Sequence, residues 1–308
     1  MASSSLKMIS EALLMRRVLP SGGFAVKTEG LFQVDSTAWS ILALAACGGA
    51  ADQLDQSRRL LMNEQLPDGR LCVDSIHPAS YWPTPLAVLA WQDSEPCREA
   101  QQRAVRFLLE TTGFHFSRTS DVPSAHDTLI KGWPWVGDTH SWVEPTAIGI
   151  MALKATGHGH HDRVKEAVRM VLDRQLPHGG WNYGNTHVFG RELHPMPEST
   201  GAALTSLAGL VERDAVRESL TYLQHKVTSL RTPISLGWSL LGLAAWNESP
   251  ANAAALVERC LANQERYGEY ETSALCLLVL GALAMEMGGQ LSLLSASVHQ
   301  GLPGSLTH

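Results

Sequence analysis

Four acidic residues share one local context along this chain. Asp35, Glu144, Glu198 and Glu271 each stand two residues before a Thr or Ser that opens a small, apolar stretch. Acids in a first helical turn cap free N–H groups and offset the helix dipole. The same placement, brought around one cavity, makes a ring of carboxylates in which like charge and burial raise at least one pKa. Such a carboxylic acid donates a proton near neutral pH. Asp35, Glu144 and Glu198 are the acid–base candidates on this ground.

A second group lies in the least repetitive stretch, residues 132–144. Trp133, Trp135 and Trp142 occur there beside Asp138 and His140. Indole faces could line an apolar pocket, stabilise a cation or stack on a sugar; equally, they could plug a core. His140 joins the catalytic candidates, although a loop histidine is more often simply hydrogen-bonded. Trp39 and Trp238, each inside an apolar stretch, complete the aromatic set. Arg191 suits an anionic group such as a diphosphate, or a surface ion pair with Glu192. His126, Asp127, Asp138, His140, His187 and His194 carry no metal-site spacing, so neither a metal nor a cofactor is expected.

These side chains need a scaffold, and the chain repeats itself. Gln-x-x-x-Gly followed by an aromatic or apolar residue occurs as Gln175-Leu-Pro-His-Gly179-Gly-Trp181, at Gln65–Leu71 and at Gln264–Tyr270, with a degenerate copy at Leu19–Phe24. Between them lie the apolar stretches opened by Thr37, Thr84, Thr146, Thr200, Ser235 and Ser273. They are apolar all round and rich in Leu, Ala and Gly, as buried helices are. The intervening segments are amphipathic. In 162–175, Val164, Ala167, Val168, Val171 and Leu172 follow helical spacing.

Six buried and six half-exposed helices in alternation predict an all-α toroid, an inner ring of six inside an outer ring of six. Inner helices are expected to begin near Asp35, Thr84, Glu144, Glu198, Pro233 and Glu271. One domain is expected over residues 1–288, with a loosely held tail at 289–308. Two long outer-to-inner links, about 112–143 and 182–197, put a functional mouth on one rim. The His-rich run 157–161 falls on the other, as surface. Gln175 and Trp181 are expected to serve stability.

The Gln175–Trp181 motif resembles the QW repeat of squalene–hopene cyclases and oxidosqualene cyclases, within the wider prenyltransferase/squalene-oxidase repeat group. The resemblance extends over most of residues 10–285 and implies an α/α toroid. It also implies an isoprenoid-processing enzyme that holds substrate in the central cavity. The family's D-x-D-D-T-A motif is matched by Gln33-Val34-Asp35-Ser36-Thr37-Ala38, where only the middle acid, the family's proton donor, is kept. The implied partner is a small apolar or isoprenoid substrate, collected through peripheral membrane contact. Two other functions remain open: a glycan-active toroid using paired carboxylates, and a non-catalytic scaffold holding a lipid, peptide or protein at the mouth.

Composition narrows the field. The 308 residues carry 24 Lys+Arg against 30 Asp+Glu, a net charge of -6 with no long basic run, which argues against nucleic acid. Five scattered cysteines form no disulfide framework. The longest apolar run, near 274–285, is shorter than a membrane span. No signal-peptide pattern opens the sequence, so the cytoplasm is the expected compartment.

Overall fold

The computed structural model describes residues 10–49, 51–117 and 126–288; the tail at 289–308 lies outside them. Inner helices are α1 (Val34–Cys47), α3 (Pro83–Ala90), α5 (Val143–Ala155), α7 (Pro197–Leu207), α9 (Pro233–Ala244) and α11 (Thr272–Glu286). A helical segment at residues 10–15 and α2 (Ala51–Asn63), α4 (Arg98–Glu110), α6 (Asp162–Asp173), α8 (Arg217–Val227) and α10 (Ala253–Tyr267) lie outside. A small hairpin, β1 (His187–Val188) with β2 (Arg191–Glu192), interrupts the link before α7. Each inner helix packs on the next, and α11 packs on α1, which closes the ring. The fold is an all-α, α/α toroid.

Burial follows sequence. In α5 every residue except Glu144 is buried, because no face of that helix is polar enough to stay in water. In α6 the buried residues are Arg163, Val164, Ala167, Met170 and Val171, a single stripe turned to the inner ring. Among the described residues no helix is long and apolar enough to cross a membrane.

The repeated Thr has a structural task. Thr37 Oγ1 accepts the Phe24 N–H at 2.9 Å, Thr84 that of Leu71 at 2.9 Å, Thr146 that of Trp133 at 2.9 Å and Thr200 that of Trp181 at 3.0 Å. Each hydroxyl ties the chain leaving an outer helix to the start of an inner one. The last copy differs from expectation. Thr272, not Ser273, makes the tie, donating to the Val26 carbonyl at 2.9 Å and joining the two ends of the ring. Arg17 strengthens this seam through Glu269 at 2.7 Å and the Tyr270 carbonyl at 3.0 Å.

Two copies of the Gln-x-x-x-Gly motif lock an outer helix to the next, Gln65 through the Ala100 carbonyl of α4 at 2.9 Å and Gln175 through α8. Gln175 Nε2 donates to Ser219 Oγ of α8 at 2.7 Å, and the Gly180 N–H donates to the same oxygen at 2.7 Å. Gly179 has φ of 87°, and a Cβ there would lie 2.5 Å from the Glu218 carbonyl carbon. Only glycine satisfies both constraints. Trp181 is fully buried and donates to the Val171 carbonyl at 2.6 Å. Trp133 stands in the same relation to α4, donating to the Leu108 carbonyl at 3.0 Å. The Arg163 guanidinium covers its ring at 3.8 Å. Gly132-Trp133 is therefore another repeat copy, one without the Gln. The expectation that Trp133 faces the mouth is corrected: it is buried in the wall.

Candidate active site at the mouth of the toroid

All outer-to-inner links meet at one rim, and there the first turns of the inner helices bring the acids together. Asp35 is the second residue of α1 and 5% exposed. Its Oδ1 is buried with no hydrogen-bond partner. Burial pushes its carboxyl up to about 6; the backbone amides of Ser36 and Asp35 pull it down, and the charge of Glu271 pushes it up. Desolvation thus outweighs the first-turn amides. Gln33 and Ser36, where the family motif has acids, turn to each other, Ser36 Oγ donating to Gln33 Oε1 at 3.4 Å.

Glu144 is the second residue of α5. Burial pushes its carboxyl up to about 7; the Trp238 indole opposes the shift, and the Glu198 charge adds to it. Nε1 of Trp238 is buried without an acceptor at hydrogen-bonding geometry, on the side of the carboxyl whose anion it favours. Because α7 separates α5 from α9 in the ring, Glu144 reaches Trp238 across the front of α7. Glu198, second in α7, is held at both oxygens. Tyr183 Oη donates to Oε1 at 3.2 Å, and Ser235 Oγ donates to Oε2 at 2.9 Å.

Beneath these acids lie Trp39 and Trp238, contributed by α1 and α9. Their rings meet edge to face, with centroids 5.8 Å apart and planes at 82°, and both are buried. Close packing of α9 lets Trp238 sit there: Gly237 backs onto α11, where a Cβ would lie 2.6 Å from the Leu277 carbonyl.

The remaining candidates lie farther out. Trp135 is half-buried and meets Trp82 edge to face at 5.6 Å. Trp142 lies against the exposed His140, ring centroids 4.2 Å apart, and burial lowers the His140 pKa. Asp138 is exposed with φ of 61°, and Arg191 is exposed on β2. Among the described residues no hydrogen bond or ion pair joins Asp138, His140 or Arg191 to the acids. Among the described residues no three of His, Cys, Asp and Glu come together as a metal-holding group. His161, in the His-rich run, caps α6 by accepting the Arg163 N–H at 3.1 Å.

The structure therefore brings together Asp35, Glu144, Glu198, Trp39 and Trp238, and adds Tyr183 and Ser235, which the sequence did not single out for chemistry. Ser235 was visible as one of the two repeat positions, with Ser273, that depart from Thr. Tyr183 carried no signal, since only folding places its hydroxyl on Glu198. The arrangement offers two carboxyls with raised affinity for a proton, one carboxylate held by hydroxyls, and indole faces below.

No family model and no characterised protein sequence matches the chain. Several solved structures share its fold. The type II terpene cyclase MstE from Scytonema, in complex with geranylgeranyl dihydroxybenzoate, superposes with a TM-score of 0.65 at 12% identity, over 93% of this chain and 98% of that one. The α-1,6-mannanase GH76A of Salegentibacter gives 0.63 at 13% identity, over 93% and 99%. A protein from Actinoplanes gives 0.59 at 14% identity, over 93% and 99%. At such identity what this chain has in common with them is the α/α toroid.

Proposed function

We propose that the protein is an enzyme that protonates an apolar, isoprenoid-like substrate in the mouth of the toroid, in the manner of a type II terpene cyclase. One observation carries this reading: two carboxyls raised to about 6 and about 7 stand over crossed indoles. At pH 7 an acid with a pKa of about 7 is about half protonated, and one of about 6 about a tenth. Glu144 is accordingly the better donor, and Asp35, in the position of the family's acid, the second. The substrate's alkene π pair takes the proton, and the carboxylate remains behind. The carbocation so formed is favoured by the faces of Trp39 and Trp238. Glu198, its oxygens oriented by Tyr183 and Ser235, accepts the proton lost when the cation collapses to an alkene. Leu31 and Ile76, both more than four-fifths exposed, and the fully exposed Phe189 stand on three links of the same rim. They support collection of the substrate from a lipid surface.

Incubation with C15 to C30 prenyl substrates is the test. Product formation that Glu144→Gln abolishes supports the reading, while activity retained in both Glu144→Gln and Asp35→Asn removes the acids from the mechanism.

A second reading rests on Glu144 and Glu198, neighbouring acids in unlike surroundings, as a glycosidase acid and its partner are. The mannanase with the same fold supports it. Sugar release from an α-1,6-mannan, with no prenyl turnover, would select it. Ligand binding without turnover of either class selects the scaffold.

A further inference from the structure

Four buried indoles spend their N–H on backbone carbonyls. Trp91 donates to Arg58 at 3.2 Å, Trp133 to Leu108 at 3.0 Å, Trp181 to Val171 at 2.6 Å and Trp246 to Leu204 at 2.9 Å. Trp238 is fully buried as well, yet its Nε1 has no acceptor, and among the described residues it is the one buried indole nitrogen in that state. A buried N–H left unpaired costs stability, so its place in the ring calls for a reason.

That place is rigid. α9 meets both neighbours at backbone contact. A Cβ on Gly201 of α7 would run into the Trp238 carbonyl, as one on Gly237 would into that of Leu277 in α11. The indole ring itself rests edge to face on Trp39. α7 is small in its first half, with Ser199, Gly201, Ala202 and Ala203. Past those side chains the indole of α9 meets Glu144 of α5.

The other surroundings of Glu144 do not favour its charge. Glu198 of α7 brings a like charge, and Tyr183, on the link before α7, has its hydroxyl on Glu198. α3 carries no titratable side chain, and Arg163 of α6 lies over Trp133. Among the described residues the Trp238 N–H is the one group that favours the Glu144 anion.

We infer that the Trp238 N–H is the partner that Glu144 takes up on losing its proton, which makes Trp238 a positioning residue for the transfer. This rests on the reading of Glu144 as the proton donor. While the carboxyl is neutral, its O–H is free for the substrate and the indole stays unbonded. Once the alkene π pair has taken the proton, the carboxylate accepts the indole N–H. An indole suits the task because it donates and carries no charge. A cation in its place would keep Glu144 ionised and end its use as an acid.

An NMR titration of the isotope-labelled protein, without substrate, tests this through the indole N–H signals. One signal, missing in Trp238→Phe, is expected to move downfield as pH rises through about 7. Glu144→Gln, which keeps the shape and cannot ionise, should hold it still. Glu198→Gln should leave the movement in place at a lower pH, since the like charge is gone. The inference is overturned if no indole signal titrates between pH 5 and 9, or if the titration survives Glu144→Gln. Both measurements stand whether or not Trp238→Phe folds.

Turnover gives a second readout. Trp238→Phe keeps an aromatic face and loses the N–H. In the variant, shown folded by circular dichroism, the fall of kcat/KM with pH should move up by about one pH unit, a tenfold gain in proton affinity. Activity lowered equally at every pH marks a packing role alone and overturns the inference. An indole that titrates with Glu144, in a protein that turns over no prenyl substrate, upholds the pairing and removes the isoprenoid reading. Prenyl turnover with a silent indole does the reverse.

Discussion

Glu144 and Glu198 occupy the same place in consecutive inner helices, the second residue in, and meet different surroundings. Glu198 receives two hydroxyls. Glu144 is desolvated and shares its space with the Glu198 charge. If Glu144 delivers the proton, activity requires its protonated form, and kcat/KM should fall as pH rises through about 7. A profile flat from pH 5 to 9 would exclude that role. Asp35 makes a prediction about stability as well. Its folded pKa of about 6 lies above the unfolded value of 3.8, so the folded state holds the proton more tightly. The charged side chain therefore costs stability as pH rises from about 4 to about 6. Asp35→Asn should stabilise the protein at pH 8 by about 3 kcal/mol, with the gain gone below pH 4. Denaturant titrations at pH 4 and pH 8 give the comparison; an equal effect at both would refute the linkage. Which acid would be raised was not legible in the sequence, because the shifts come first from burial in the assembled ring and then from the charges of Glu198 and Glu271, brought up from other helices.

The elements were more legible than the acids. Inner helices expected near Asp35, Thr84, Glu144, Glu198, Pro233 and Glu271 begin at Val34, Pro83, Val143, Pro197, Pro233 and Thr272. Agreement within one residue reflects a recurring start signal, an acid or Pro followed by Thr or Ser and then an unbroken apolar stretch. The expected stability role of Trp181 fits its complete burial and its hydrogen bond to Val171. Trp181→Ala should cost about 3–5 kcal/mol, and Trp133→Ala, at the corresponding place in the wall, about as much. Unchanged thermal unfolding in Trp133→Ala would return that residue to the mouth. Thr146→Val removes the acceptor for the Trp133 N–H and should cost about 1–3 kcal/mol, measured by the same melts. Trp133 was misplaced by sequence reasoning because its repeat copy lacks the Gln and lies inside a long irregular link.

For the whole molecule, the proposed collection of substrate from a lipid surface makes a prediction about the mouth rim. Leu31, Ile76 and Phe189 are exposed on separate links, those before α1, α3 and α7, which the closed ring puts on one rim. Replacing all three by Ser should abolish co-sedimentation with phosphatidylcholine vesicles and leave thermal unfolding unchanged, since exposed side chains contribute little to the core. Vesicle binding that survives the triple change would rule out those tips as the contact. The sequence by itself determined the alternation of wholly apolar and one-sided helices, and with it the double ring. Each helix carries its own burial pattern, and stacked repeats are the way to satisfy twelve such patterns at once. Only the tertiary structure decided which acids lie against each other, that Tyr183 and Ser235 hold Glu198, and that the Trp238 N–H stands without an acceptor beside Glu144. Desolvation and cross-ring contact depend on the distance between helices. Spacing along the chain says which way a residue faces on its own helix, but not what stands opposite.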